Sequence, residues 1–111
     1  MVTDLSYLRH MTDGNPELFR EIIEIFLKQV KEYTRDMQDY YQQKNWQALS
    51  RLAHKAKSSV AIMGMHQLAE MLKELEIFSR EQKNIEKFPQ YIYRFETECN
   101  EASEELKTLN N

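Results

Sequence analysis

The sequence predicts an all-α protein, an antiparallel up-down four-helix bundle with a short extra N-terminal helix. Three observations carry that expectation. Two glycines and two prolines in 111 residues leave little punctuation for hairpins. No segment alternates apolar and polar residues for long, and apolar residues recur instead at steps of three and four. Four such amphipathic stretches with short connections pack most simply as neighbouring antiparallel helices around one core.

Asp4 to His10 reads as the short first helix, carrying Leu5 and Leu8 and ending at Asp13-Gly14. Asn15-Pro16 then begins a long helix, with asparagine as the cap and proline in the first turn, where its missing N–H costs nothing. Its stripe of Phe19, Ile22 or Ile23, Phe26, Val30, Tyr33, Met37 and Tyr40 carries it to about Gln43. Asn45 caps the next helix, whose apolar face is Trp46, Leu49, Leu52, Ala53, Ala56, Val60 and Met63. Gly64 ends it or lets its end approach a neighbour closely. From about Met65 a further helix presents Leu68, Met71, Leu72, Leu75 and Phe78, and loses its apolar face after Ser79. The last helix starts between Asn84 and Pro89, because proline fits a first turn but not an interior, and runs to about Leu109.

Chain length and 41% apolar content fit a single domain spanning residues 1–111. A net charge of -3 without any Lys/Arg-dense stretch argues against nucleic acid as a partner. No apolar run approaches bilayer length, and nothing near Met1 resembles a signal peptide, so a soluble cytoplasmic protein without membrane contact is expected. One cysteine, Cys99, allows neither an internal disulfide nor a cysteine-based zinc cage, and its place in the stripe Ile92, Phe95, Cys99, Ala102, Leu106 marks it as core. His10 and His66 share no metal-ligand spacing with the third histidine, so no metal site is expected. The tyrosines Tyr33, Tyr40, Tyr41, Tyr91 and Tyr93 read as core margin, and Met63, Met65 and Met71 as core filling.

The third histidine, His54, is different. At about 100° per residue its side chain points roughly 145° away from the centre of its helix's apolar stripe, toward solvent or a partner. Periodicity alone makes it an ordinary surface histidine. Its neighbours change the balance. Lys57 and Ser58 lie one turn later and Ser50 one turn earlier, while Ala61 and Met65 continue the same line. A neutral imidazole nitrogen is a competent nucleophile toward phosphorus, an ammonium three residues away can offset phosphoryl charge, and small neighbours leave room for a donor protein.

The segment Leu52-Ala53-His54-Lys55-Ala56-Lys57-Ser58-Ser59, followed by Gly64 and then Leu68, Leu72, Leu75 and Glu76, resembles the histidine-containing phosphotransfer (HPt) domain. Ala53, His54, Lys57, Ser58 and Gly64 stand where that family has its alanine-histidine pair, its lysine, a small residue and a glycine. The resemblance covers nearly the whole chain and implies a phosphocarrier without kinase activity of its own. His54 would take a phosphoryl group from the aspartyl phosphate of a response-regulator receiver domain and pass it to another receiver. The receiver would supply Mg2+ and the acidic cluster, with no cofactor bound by the chain itself. Family likeness also carries over Glu76, to bond the second imidazole nitrogen or Lys57, and Arg80, to support the phosphate or Glu76. Ser58 departs from the commoner glycine.

A docking face of Ser50, Arg51, Lys55, Ala61 and Met65 is expected around the histidine, with Arg51 and Lys55 at its charged rim, although Ala61 and Met65 read equally well as packing under the turn at Gly64. Glu76 and Arg80 read equally well as an ordinary i,i+4 pair. A monomer follows from the closed core. The chain would act free in the cytoplasm or as part of a membrane-anchored hybrid sensor kinase whose receiver is then a partner. The rival reading is a helical interaction module that binds receivers or kinases without accepting phosphate. A general-base enzyme built on His54 lacks a cleft and a second catalytic group.

Overall fold

The computed structural model describes residues 1–110, and all regular structure in them is helical. Helix α1 spans Ser6–Thr12, α2 Pro16–Gln42, α3 Trp46–Ile62, α4 His66–Glu81 and α5 Phe88–Asn110, with a 3-10 turn at Ile85–Lys87 leading into α5. The four long helices close into a ring in which α2 packs on α3 and α5, and α4 on α3 and α5; α3 and α4 form the tightest pair. The result is an elongated bundle of 44 × 21 × 21 Å. Helix α1 rests on α2.

Local chemistry sets most boundaries. Asn15 Oδ1 accepts from the Leu18 N–H at 3.0 Å and Asn45 Oδ1 from the Ala48 N–H at 3.2 Å, so both expected caps form. The first helix starts two residues later than the sequence suggested. Asp4 stays outside it, and its carboxylate accepts from the Ser6 N–H at 3.0 Å and the Ser6 hydroxyl at 2.7 Å. The Ser6 hydroxyl and N–H bonds hold the Asp4 carboxyl below its ordinary value.

Gly64 turns the chain between α3 and α4 with φ +74°. A Cβ there would lie 2.7 Å from Asp4 Cβ and 2.8 Å from Asp4 N, well inside van der Waals contact. Glycine is therefore required twice over, for the left-handed backbone and for the close approach of the N-terminal segment. The Asp4 N–H donates to the Met63 carbonyl at 3.0 Å. On the other side of that segment, Glu105 of α5 accepts from the Val2 and Thr3 N–H groups and from the Thr3 hydroxyl. These bonds tie residues 2–4 across the end of the bundle.

The core follows the sequence stripes closely. Leu49, Leu52, Ala53, Ala56, Val60 and Met63 of the α3 stripe are buried, as are Ile92, Phe95, Cys99, Ala102 and Leu106 of α5. Cys99 is 1% exposed, and burial pushes its thiol up to about 12. Trp46 closes one end of the bundle between Tyr41 and Phe88, at ring-centroid distances of 6.0 and 5.6 Å. Tyr93 departs from its expected place at the core margin. It is 71% exposed, because it lies one residue beyond the buried Ile92 on the outward side of α5.

Candidate functional site

Helix α3 carries His54 on its outer face, where the side chain is 62% exposed. The expectation drawn from helical phase holds because the buried stripe of α3 is continuous from Leu49 to Val60 and His54 lies outside it. Across the tight α3/α4 contact stands Glu76, whose carboxylate is largely covered at 17% exposure. It has two oxygens and two partners. Oε2 lies 3.1 Å from His54 Nδ1, and Oε1 accepts from Lys57 Nζ at 3.1 Å.

Burial by itself would raise the Glu76 carboxyl, but the hydrogen bonds from Lys57 and His54, together with the Lys57 charge, outweigh it and hold the group below its ordinary value. An ionised carboxylate can only accept, so the imidazole must donate from Nδ1. In the neutral imidazole the remaining nitrogen, Nε2, then keeps its lone pair. Glu76 thus fixes both the tautomer of His54 and the position of the Lys57 ammonium.

The position of Glu76 is itself supported from α3. Ser50 Oγ donates to the Glu76 carbonyl oxygen at 2.8 Å, a bond between the two helices beside the histidine. Ser50 is accordingly buried at 7% exposure and cannot meet a partner, contrary to its expected place on the docking face. Met65 is also corrected. It is 3% exposed, inside the core, because the left-handed turn at Gly64 resets the helical phase that had placed it in line with His54.

Arg51, Lys55 and Ser58 are exposed beside the histidine, and Ala61 is half-buried farther along the helix. Arg80 is exposed and makes no ion pair among the described residues, so the i,i+4 pair with Glu76 does not form. Glu76 is turned inward to α3 instead.

The structure adds residues of α1 and α2 to this surface. A shallow groove beside Ser58 is lined by Met11 of α1, Ile22 and Ile25 of α2, and Ile62 of α3. Met11 and Ile25 are 41% and 50% exposed, an uncommon amount of apolar surface so near a polar site. The sequence did hold a signal: Leu18, Ile22 and Ile25 form a second apolar stripe about 100° around α2 from the core stripe. No group of three His, Cys, Asp or Glu side chains among the described residues could hold a metal ion. Among the described residues no helix is long and apolar enough to cross a membrane.

A family model described as the Hpt domain matches residues 21–108, which include the whole of α3 and α4 and thus His54, Lys57 and Glu76. The chain belongs to the Hpt family. Its fold matches the crystal structure of the histidine-containing phosphotransfer protein B (HptB) from Pseudomonas aeruginosa PAO1, with a TM-score of 0.89 over 98% of this chain and 94% of that one. Identity between the two is 24%, so that likeness speaks for the architecture. A comparison with curated proteins gives no match. Hpt proteins carry phosphoryl groups on histidine and interact with receiver domains, and the Hpt bundle seen here places one histidine, His54, beside both a cation and a carboxylate.

Proposed function

We propose that this Hpt domain is a phosphocarrier in which His54 Nε2 accepts a phosphoryl group from the aspartyl phosphate of a receiver domain and passes it to another receiver. The observation that carries the reading is Glu76 bonded at once to His54 Nδ1 and Lys57 Nζ on an exposed helix face. In the transfer the Nε2 lone pair forms the N–P bond, the P–O bond to the aspartate breaks, and its electron pair leaves on the aspartate carboxylate. Positive charge develops on the imidazole. The Nδ1–H bond to the Glu76 carboxylate strengthens as it does so, which stabilises the transition state more than the ground state. Lys57 keeps further N–H donors for the phosphoryl oxygens while Glu76 anchors it.

Arg80, exposed on α4, would support the phosphate from outside that network. Nothing in this scheme requires nucleotide or metal on the Hpt side. Mg2+ and the acidic cluster come with the receiver, and the Hpt domain has no kinase activity of its own. The receiver would dock over the groove of Met11, Ile22, Ile25 and Ile62 beside Ser58, with Ala61 at its edge and Arg51 and Lys55 at its rim. The chain acts as a monomer in the cytoplasm, free or as part of a hybrid sensor kinase.

The test is incubation with a phosphorylated receiver and Mg2+. The chain is expected to acquire an acid-labile, alkali-stable phosphate. His54→Gln should remain folded by circular dichroism and take none. A His54→Gln protein that labels normally removes the assignment, and stable receiver binding with no transfer to the wild type over hours replaces it by a binding module.

A further inference from the structure

Helix α1 is seven residues long, too short to persist on its own hydrogen bonds, so its order must come from the fold around it. The inner side supplies part of that order. Leu8 is completely buried, and the Thr12 hydroxyl donates to the Leu8 carbonyl at 2.9 Å. The outer side carries apolar bulk as well. Tyr7 and Met11, one turn apart, are 56% and 41% exposed, and Met11 forms the α1 wall of the groove shared with Ile22, Ile25 and Ile62.

The two ends of α1 are held differently. Its C-terminal end turns through two consecutive left-handed residues, Asp13 at φ 38° and Gly14 at φ 77°, and nothing lies within 4 Å of the place a Gly14 Cβ would take. Its N-terminal end is fastened on two sides. Glu105 of α5 accepts from the Val2 N–H at 2.8 Å, the Thr3 N–H at 3.2 Å and the Thr3 hydroxyl at 2.6 Å. Asp4, the next residue, donates its N–H to the carbonyl of Met63, which itself lines the groove, and its carboxylate accepts from the Ser6 N–H at the start of α1. A single carboxylate on the last helix thus closes a chain of bonds that ends on the first.

We infer that Glu105 is a positioning residue for partner docking: through Val2, Thr3 and Asp4 it fixes α1, so that Tyr7 and Met11 extend the apolar groove beside His54. This inference rests on the phosphocarrier reading, and the docked partner is the receiver. Tyrosine and methionine are residues that protein interfaces favour as anchors. Without the hold of Glu105, α1 frays from its N-terminal end, where Tyr7 lies, and the groove loses a wall. His54, Lys57 and Glu76 keep their places on α3 and α4.

The experiment uses the full chain and the receiver domain that phosphorylates it fastest, with the single-turnover transfer rate followed against receiver concentration. Glu105→Ala should raise the half-saturating receiver concentration about fivefold and leave the limiting rate within about twofold, because docking weakens while the chemistry is intact. Glu105→Gln, which keeps one acceptor oxygen, should fall between Glu105→Ala and the wild type. Tyr7→Ala should resemble Glu105→Ala, and the double variant should cost less than the two losses combined, since both act through one helix. Amide exchange at Arg9, whose N–H bonds the Leu5 carbonyl, should quicken about tenfold in Glu105→Ala while the His54 15N shifts stay as in the wild type. Two controls cover stability and charge. Ile92→Val trims the α5 core, and Glu101→Ala removes an exposed carboxylate from the same helix; both should leave half-saturation unchanged.

An unchanged half-saturation in Glu105→Ala, an equal rise in either control, or full additivity with Tyr7→Ala overturns the inference, while label on His54 leaves the carrier reading standing. A wild type that takes no label from any receiver overturns both.

Discussion

Replacing Glu76 by glutamine separates its two tasks. The carboxylate now accepts from His54 Nδ1 and from Lys57 Nζ, each at 3.1 Å. Glutamine has one acceptor oxygen and an amide that can only donate, so it can serve one partner and must turn N–H groups toward the other. A hydrogen bond to a charged group contributes about 1.5–3 kcal/mol. Because the His54 side chain is 62% exposed, solvent competes and the low end applies. If the lost interaction acts in the transition state, about 1.5 kcal/mol corresponds to transfer about tenfold slower. Glu76→Ala removes both acceptors and should cost roughly a hundredfold. The assay is the single-turnover transfer rate, paired with the imidazole 15N shifts, which distinguish the Nδ1–H from the Nε2–H tautomer. In the wild type the Nδ1–H form is expected to dominate, and in Glu76→Ala the preference should relax. An unchanged tautomer balance with an unchanged rate in Glu76→Ala would refute the account of this residue.

Three other outcomes follow from the fold. Gly64→Ala forces a side chain into a left-handed position against Asp4, which costs about 1–2 kcal/mol for the backbone alone, so thermal melting should drop by at least about 4 °C. Glu105 is depressed: burial would raise it, but the bonds from Thr3 and Val2 prevail. A depressed carboxyl contributes stability fully above its unfolded value, near 4.5, and loses it as pH falls through the folded value. Glu105→Gln should therefore melt lower than wild type at pH 7, with the gap closing below about pH 4.5. Cys99, pushed up to about 12 and buried, should resist Ellman's reagent in the native protein and react promptly once unfolded in urea.

How much of this was legible depends on the range of the interaction. Asn15 and Asn45 cap their helices through bonds spanning three residues, and such chemistry is written locally. The core stripes of α3 and α5 were legible for the same reason, since one helix's period decides which side is buried. Ser50 shows where that stops. Its polarity and its phase both suggested exposure, yet α4 crosses over that side and supplies the Glu76 carbonyl as its partner, and the register of α4 against α3 is not contained in the periodicity of either. Met65 was legible as core filling, and only its place on the docking face, drawn by extending helical phase through Gly64, fails where a φ of +74° breaks that phase. The pairing of Glu76 with His54 and Lys57, across 22 and 19 residues, was accessible only by resemblance to a family.

The site's design follows from that α3/α4 register. A carboxylate that must accept from two donors at once needs to be held from behind, and the Ser50 hydroxyl bonds the backbone carbonyl of the same residue whose side chain faces His54. The buried Ala53 and Ala56, with no bulk beyond Cβ, suit the close approach of α4 at this level. A largely covered carboxylate on α4 thereby reaches an exposed imidazole, which stays open to solvent while one of its nitrogens is bonded from inside the bundle.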